Sequence, residues 1–83
     1  MVSIRFRIED RPGVLGLISS ALGDQKANIL EVHHKRNLLD VPAKGAVLEI
    51  TIETRGPNHA DDIIAYMREQ PYIAKVSQLG TSE

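Results

Sequence analysis

The sequence predicts one α+β domain, a four-stranded antiparallel sheet with two helices on one face, in the order βαββαβ. Three observations predict it. Alternation of apolar and polar residues marks strands at residues 2–9 and, Val47 apart, at 46–53. Apolar residues at helical spacing follow the breaks "DRPG" and "RGPN". The two halves of the chain share one plan, strand–helix–strand, and a right-handed crossover in each half sets both helices on the same face. That is the ferredoxin-like arrangement. The architecture by itself implies no activity.

The first strand is the clearest element. Val2, Ile4, Phe6 and Ile8 alternate with Ser3, Arg5, Arg7 and Glu9, which gives one apolar face. "DRPG", residues 10–13, breaks the strand, and Val14, Leu15, Ile18 and Leu22 follow with the spacing of a core-facing helix stripe. Pro12 suits the first turn of that helix, where its missing N–H is not needed. Gly23 and the "GDQKAN" stretch are expected to end it. "ILEVHHKRNLL" reads as the second strand, with Leu30 and Val32 facing the helices. "DVPAKG", residues 40–45, reads as a hairpin connection. Ala46, Leu48, Ile50 and Ile52 alternate with Val47, Glu49, Thr51 and Glu53 in the third strand.

Asn58 is expected to cap the second helix, with Asp61 three residues on in a capping-box pattern and Asp62 beside it near the positive end of the dipole. Ala60, Ile63, Ile64 and Met67 form the apolar stripe of this helix, and Pro71 stops it. "YIAKVSQL" is the final strand. The closing "GTSE" is expected to fray, with the domain spanning residues 1–80 and residues 81–83 as a tail.

Eighty-three residues allow one small core. A domain of this size buries only about 60% of its unfolded surface, so a partner subunit adds stability. Ten basic residues stand against eleven acidic ones, without the basic excess of a nucleic-acid or membrane-surface module. Phe6, Tyr66 and Tyr72 are the only aromatics, too few for a base-stacking platform. The absence of cysteine removes disulfides, thiol nucleophiles and thiolate metal sites together. No apolar run approaches a membrane span and no signal peptide opens the chain, so a cytoplasmic location is expected.

Few residues suggest chemistry. His33 and His34 are neighbours on a strand and point to opposite faces, so they cannot ligate one metal within a subunit. His59 has no partner at metal-ligand spacing. Asp61 and Asp62 diverge by about 100° around a helix, and dipole compensation explains them. Ser19 and Ser20 lie mid-helix without a flanking histidine and acid, and "RPGVLG" matches neither common phosphate-binding fingerprint. Asp10 and Asn28 are more informative. Asp10 ends a strand at the doorway of a helix whose free amides, including those of Gly13 and Val14, attract a carboxylate. Gly13 leaves the backbone open to a ligand. A carboxylate and a side-chain amide nearby suit the ammonium of a zwitterionic amino acid. The other reading is that Asp10 caps the helix and Asn28 takes a turn conformation.

"EDRPGVLGLISSALGDQKANILEVHH" resembles the signature of ACT domains, small regulatory modules of amino-acid metabolism. The resemblance rests on Asp10, Pro12 and Gly13, on the apolar helix opening at Val14 and Leu15, and on Ala27, Asn28 and Ile29. It covers nearly the whole chain. "NILEVHHKR" and "LEITIETRGPNHADDI" are similar to the carboxy-terminal ACT domains of threonine dehydratases (threonine ammonia-lyases). The resemblance implies an effector-binding domain that pairs with a second copy and passes an amino-acid signal to a catalytic domain. Its effector-contacting positions correspond to Asp10, Pro12, Gly13, Val14, Leu15, Asn28 and Ile29. Two departures stand out. Ile8 occupies a position that is polar in some amino-acid-binding relatives, and Lys26 stands where glycine is common. The pyridoxal-phosphate lyase domain implied by that family has no counterpart in these residues.

The expectation is therefore a regulatory domain rather than an enzyme, with no cofactor of its own, whose effector is isoleucine or a related aliphatic amino acid. The alternatives are an ACT-fold dimerisation module without an effector, or a stand-alone regulator of another enzyme. A small ferredoxin-like enzyme lacks an acid–base pair, and an RNA-binding domain lacks aromatics and charge. A homodimer is expected through the second strand and first helix, because the second strand forms an unpaired sheet edge.

Overall fold

Alternating polarity produces β1 (Val2–Glu9), whose apolar residues are all buried and whose polar ones are not. It is followed by α1 (Val14–Asp24), β2 (Asn28–Lys35), β3 (Gly45–Glu53), α2 (Pro57–Arg68) and β4 (Ile73–Thr81). The structure, a computed structural model, describes residues 1–9, 12–35 and 45–81, with side chains through residue 79. Most of the expected hairpin "DVPAKG", residues 40–44, lies outside the described residues.

The sheet order is β2-β3-β1-β4, and every neighbouring pair is antiparallel. This is the predicted α+β, ferredoxin-like βαββαβ fold. β1 and β3 pair without a slip from Val2 opposite Ile52 to Glu9 opposite Gly45. Antiparallel neighbours share a face, so Ile4, Phe6 and Ile8 stack beside Ile50, Leu48 and Ala46. Val14, Ile18, Ala21 and Leu22 of α1 and Ala60, Ile63, Ile64 and Met67 of α2 cover that face as one core. The opposite face carries the charged and hydroxyl residues of the same strands, with Val47 opposite Arg7 among them.

Several local expectations are corrected. α1 begins at Val14 with Gly13 as its N-cap, so Pro12 lies in the preceding turn and not in the first helical turn. The helix runs through Gly23 and ends at Asp24, inside the "GDQKAN" stretch expected to end it. It ends where Lys26 takes a left-handed φ of 66°, with Ala27 N–H bonded to the Leu22 carbonyl at 3.0 Å and Lys26 N–H to Gly23 at 2.9 Å. These are the two bonds of a Schellman stop, with lysine at the residue where glycine is usual.

Asn58 does not cap α2. The cap is Gly56, Pro57 occupies the first helical position, and the first turn contains no acid, so Asp61 and Asp62 fall beyond it. Among the described residues, no side chain caps either helix. Tyr72 sits in the turn before β4, and that strand runs on to Gly80 and Thr81, opposite Ser3 and Val2, where fraying was expected.

β2 departs furthest from its sequence reading. Its ladder to β3 skips between Ile29 and Glu31, which leaves Leu30 at a bulge. Val32 pairs with the buried Ile50 on the helix-facing side, but neither Leu30 nor Val32 is covered: Leu30 is 45% exposed and Val32 39%. Strand β2 lies at the sheet edge, as the topology requires.

Candidate functional site

The turn that joins β1 to α1 is built around Gly13. Its φ of 88° and ψ of −11° are left-handed, a conformation that costs an L-residue about 1–2 kcal/mol. Its carbonyl accepts the first α1 bond, from Leu17 N–H at 3.0 Å. A Cβ placed on Gly13 would meet nothing within 4 Å. The glycine therefore serves the backbone turn and leaves open space above it. Among the described residues no side chain caps α1, and the amides that follow Gly13 lie at its positive end.

The expected site residues separate into two groups. Pro12 and Gly13 are exposed at the turn and Leu15 is 41% exposed beside it. Val14 is buried in the core at 2% exposure, so only its backbone amide faces the turn. Asp10 lies outside the described residues. Asn28 is exposed and Ile29 half-buried against the core, both at the start of β2. Ladder register fixes the separation between the groups. Glu9, just before the turn, is opposite Gly45, whereas Asn28 is opposite Glu53 at the other end of β3. Eight strand steps put these levels roughly 26 Å apart. One chain cannot bring both groups to one amino acid.

The outer part of the sheet carries an ion-pair chain on its helix-free face. Arg5 donates to Glu49 Oε2 from Nε at 3.0 Å and from Nη2 at 2.8 Å, and Lys35 Nζ lies 3.3 Å from the other carboxylate oxygen. The Arg5 hydrogen bonds hold the Glu49 carboxyl below its ordinary value of 4.5, against burial that raises it and with help from Lys35. Along the edge strand His33 Nε2 bonds Glu31 Oε1. His33 is opposite Glu49 and His34 is opposite Leu48, so the two histidines occupy opposite faces. Among the described residues, no three His, Cys, Asp or Glu side chains are grouped to hold a metal.

Three features escaped the sequence reading. His59 is half-buried and spends both ring nitrogens on backbone: Nδ1 accepts from Arg55 N–H at 3.0 Å and Nε2 donates to the Gln25 carbonyl at 2.6 Å. Leu17, 50% exposed, lies beside the α1 core stripe and is legible only as an apolar residue off that stripe. A cavity of about 400 Å³ opens at the β3–α2 turn, with Glu53, Arg55 and Asp61 in its wall. It lies at the end of the sheet away from Gly13, and none of the expected site residues lines it.

No helix among the described residues is long and apolar enough to cross a membrane. Comparison with known proteins bears on the regulatory reading. The chain is 27% identical over 75 residues to an L-threonine ammonia-lyase of Geobacter sulfurreducens and 29% identical over 75 residues to one of Thermotoga maritima. Each match covers 90% of this chain but 19% of the relative, so the chain spans about a fifth of those enzymes. Among solved structures it is similar to the ACT domain from GTP pyrophosphokinase of Chlorobium tepidum, with a TM-score of 0.73 at 15% identity over 94% of this chain and 95% of that one. A homoserine dehydrogenase from Thiobacillus denitrificans also gives 0.73, at 22% identity over 93% of this chain and 16% of that one. These likenesses show the fold. The family model for the ACT domain matches residues 1–77, nearly the whole chain, and the chain belongs to the ACT domain family.

Proposed function

We propose that this ACT domain senses an aliphatic amino acid for a threonine ammonia-lyase-type enzyme, at two equivalent sites shared across a homodimer. Each site pairs the turn of one chain, Asp10, Pro12 and Gly13 with the adjoining Val14 amide and Leu15, with Asn28 and Ile29 of the other. The single observation that carries the shared site is the separation of roughly 26 Å between the two groups within one chain. An isologous pairing of β2 edges inverts the second copy and brings its Asn28 end toward the first copy's turn. Free amides after Gly13 suit the effector carboxylate. Asp10 and Asn28 suit its ammonium. Leu15 and Ile29 offer apolar surface to a branched side chain, whose burial contributes about 1.5–3 kcal/mol.

Isoleucine is the first candidate effector, with valine and threonine next, because the relatives act under the name L-threonine ammonia-lyase and the residues flanking the turn are apolar. The lyase chemistry, with its pyridoxal phosphate, belongs to a separate catalytic domain to which this module would pass its signal. Titration calorimetry against the proteinogenic amino acids tests the reading. Saturable binding of isoleucine, valine or threonine is expected, and a ligand at a hundred times its Kd raises stability by about 2.7 kcal/mol. Binding of charged amino acids alone, or of none, rejects it in favour of a dimerisation module without an effector.

A further inference from the structure

We infer that the helix-free face of the sheet holds an oxyanion site, in which Arg5, Arg7, Lys75 and Ser77 take a phosphoryl group. The site is separate from the effector site proposed above and does not depend on it.

Arg7 supplies the first argument. It is half-buried on the central strand β1, with Val47 opposite it on β3 and Lys75 opposite it on β4. Residues directly opposite have Cβ atoms about 4.5–5.5 Å apart, and like charges so placed are destabilising. No carboxylate relieves the pair. Arg5 and Lys35 share Glu49, and His33 bonds Glu31, but among the described residues neither Arg7 nor Lys75 is joined to an acid. Two facing cations without an anion oppose folding, and local conflicts of that kind are expected at functional sites. The chain as a whole carries a formal charge of −1, so the cluster is not part of a general basic excess.

The geometry supplies the second argument. Arg5 and Arg7 are two residues apart on one face of the strand, about 7 Å along it. Ser77 is opposite Arg5 as Lys75 is opposite Arg7. These four residues line a hollow of about 70 Å³. Arg5 gives Nε and Nη2 to Glu49, which leaves Nη1 for a ligand. The β1–β4 ladder skips between Arg7 and Ile8, so Ala74 bulges beside Lys75. Bulges redirect neighbouring side chains and recur beside active sites.

Charge and size together select the ligand. Arg7 and Lys75 present two uncompensated positive charges. A phosphoryl group brings about −1.5 to −2 at neutral pH and three strong acceptor oxygens, and a carboxylate brings one charge and two oxygens. Guanidinium groups from β1, with an ammonium and a hydroxyl from β4, offer donors to those oxygens from two strands. Pockets that enclose whole organic ligands measure about 300–1,000 Å³. This hollow is far smaller, so it admits the anionic group and leaves the rest of the molecule outside.

The chain is titrated with inorganic phosphate and with glycerol phosphate at pH 8, and amide signals are followed by NMR. Sodium chloride holds the ionic strength fixed, so that general screening does not vary. Saturable shifts centred on residues 5–7 and 75–77 are expected with both probes. Tighter binding of glycerol phosphate assigns the site to a phosphorylated metabolite, and equal or weaker binding assigns it to free phosphate. Succinate, a dianion built from carboxylates, should bind about tenfold more weakly. Lys75→Gln, at an exposed position, should weaken phosphate binding by roughly tenfold. Without phosphate the same variant should unfold at a urea concentration no lower than the wild type, because one of two facing cations is gone. Arg55→Gln, beyond the far end of β3, should leave the phosphate response unchanged. Shifts spread over basic residues in general, succinate binding as tight as phosphate, or a response that survives Lys75→Gln overturns the site. A lower urea midpoint for Lys75→Gln without phosphate overturns it too, since Lys75 would then be stabilised within the fold. An oligoglutamate peptide that perturbs this face where phosphate does not replaces the small oxyanion with an acidic protein partner.

Discussion

His59 ties the second helix to the end of the first: its Nε2 lies 2.6 Å from the carbonyl oxygen of Gln25, the residue that closes α1. The other ring nitrogen accepts from the Arg55 N–H. One side chain thus satisfies a backbone acceptor on one half of the domain and a backbone donor on the other. His59→Leu keeps the bulk but leaves both groups unpaired. Each intramolecular hydrogen bond contributes about 0.5–1.5 kcal/mol, so a loss of about 1–3 kcal/mol is expected in urea unfolding. An unchanged midpoint would show that water replaces both bonds without cost.

Gly13 and Lys26 make opposite use of the left-handed backbone. Gly13 has a φ of 88° without steric penalty, whereas Lys26 holds 66° with a Cβ. Lys26→Gly should stabilise the fold by about 1 kcal/mol, because it removes left-handed strain at the residue where the Schellman stop favours glycine. Gly13→Val should cost about 1–2 kcal/mol and also abolish effector binding, since it adds both strain and bulk at the turn. Gly13→Asn, which tolerates the left-handed region, separates the two effects. Thermal denaturation reads the first, and calorimetric titration the second.

Glu49 links stability to acid. Its carboxyl is held below 4.5 chiefly by the Arg5 hydrogen bonds. A group whose folded pKa is depressed contributes stability that is present above its unfolded value and lost as pH falls through its folded value. The wild type should therefore lose this contribution as pH falls below about 4.5, and Glu49→Gln should remove that part of the acid limb. With Arg5 half-exposed and the Glu49 side chain 20% exposed, screening keeps the effect at neutral pH to at most about 1 kcal/mol. Midpoints of the two proteins measured from pH 7 to pH 3 should converge toward the acid end. Parallel curves would mean that Glu49 does not carry the dependence.

Alternation made β1 and most of β3 legible, because on those strands apolarity and burial coincide; the exception to the alternation is Val47, opposite Arg7 and buried as well. The start of α2 was misassigned for a physical reason, while α1 opens at Val14 as expected. The sequence offers Asn58 as a side-chain cap, but the backbone turns at Gly56, where φ is positive, and the helix begins at Pro57. β2 was legible as an edge and not as a bulged one, since nothing in "ILEVHH" distinguishes Leu30 from a paired core residue. The turn of the candidate site was legible because proline and glycine stand together there. Its distance from Asn28 followed from strand direction, but the levels needed the ladder register. His59 was opaque, because its partners are backbone atoms at Gln25 and Arg55, one of them 34 residues away.

If each effector site takes its turn from one chain and its Asn28 from the other, two defective chains can together make a sound site. Asp10→Ala removes the acid from the turn and Asn28→Ala removes the amide from the opposite end, and each homodimer then carries a lesion in both of its sites. A heterodimer of the two distributes the lesions unevenly. One site combines the altered turn with the altered β2, and the other combines an intact turn with an intact Asn28, by the symmetry of an isologous interface. Asn28 is exposed, and a substitution at an exposed position away from core or cap features usually changes stability by no more than about 0.5 kcal/mol, so the Asn28→Ala homodimer should remain folded. Heterodimers purified through two different affinity tags should bind isoleucine with wild-type affinity at one site per dimer, while both homodimers bind none. Two half-strength sites, or no binding in verified heterodimers, would place each complete site within a single chain, against the roughly 26 Å that separates its two halves there.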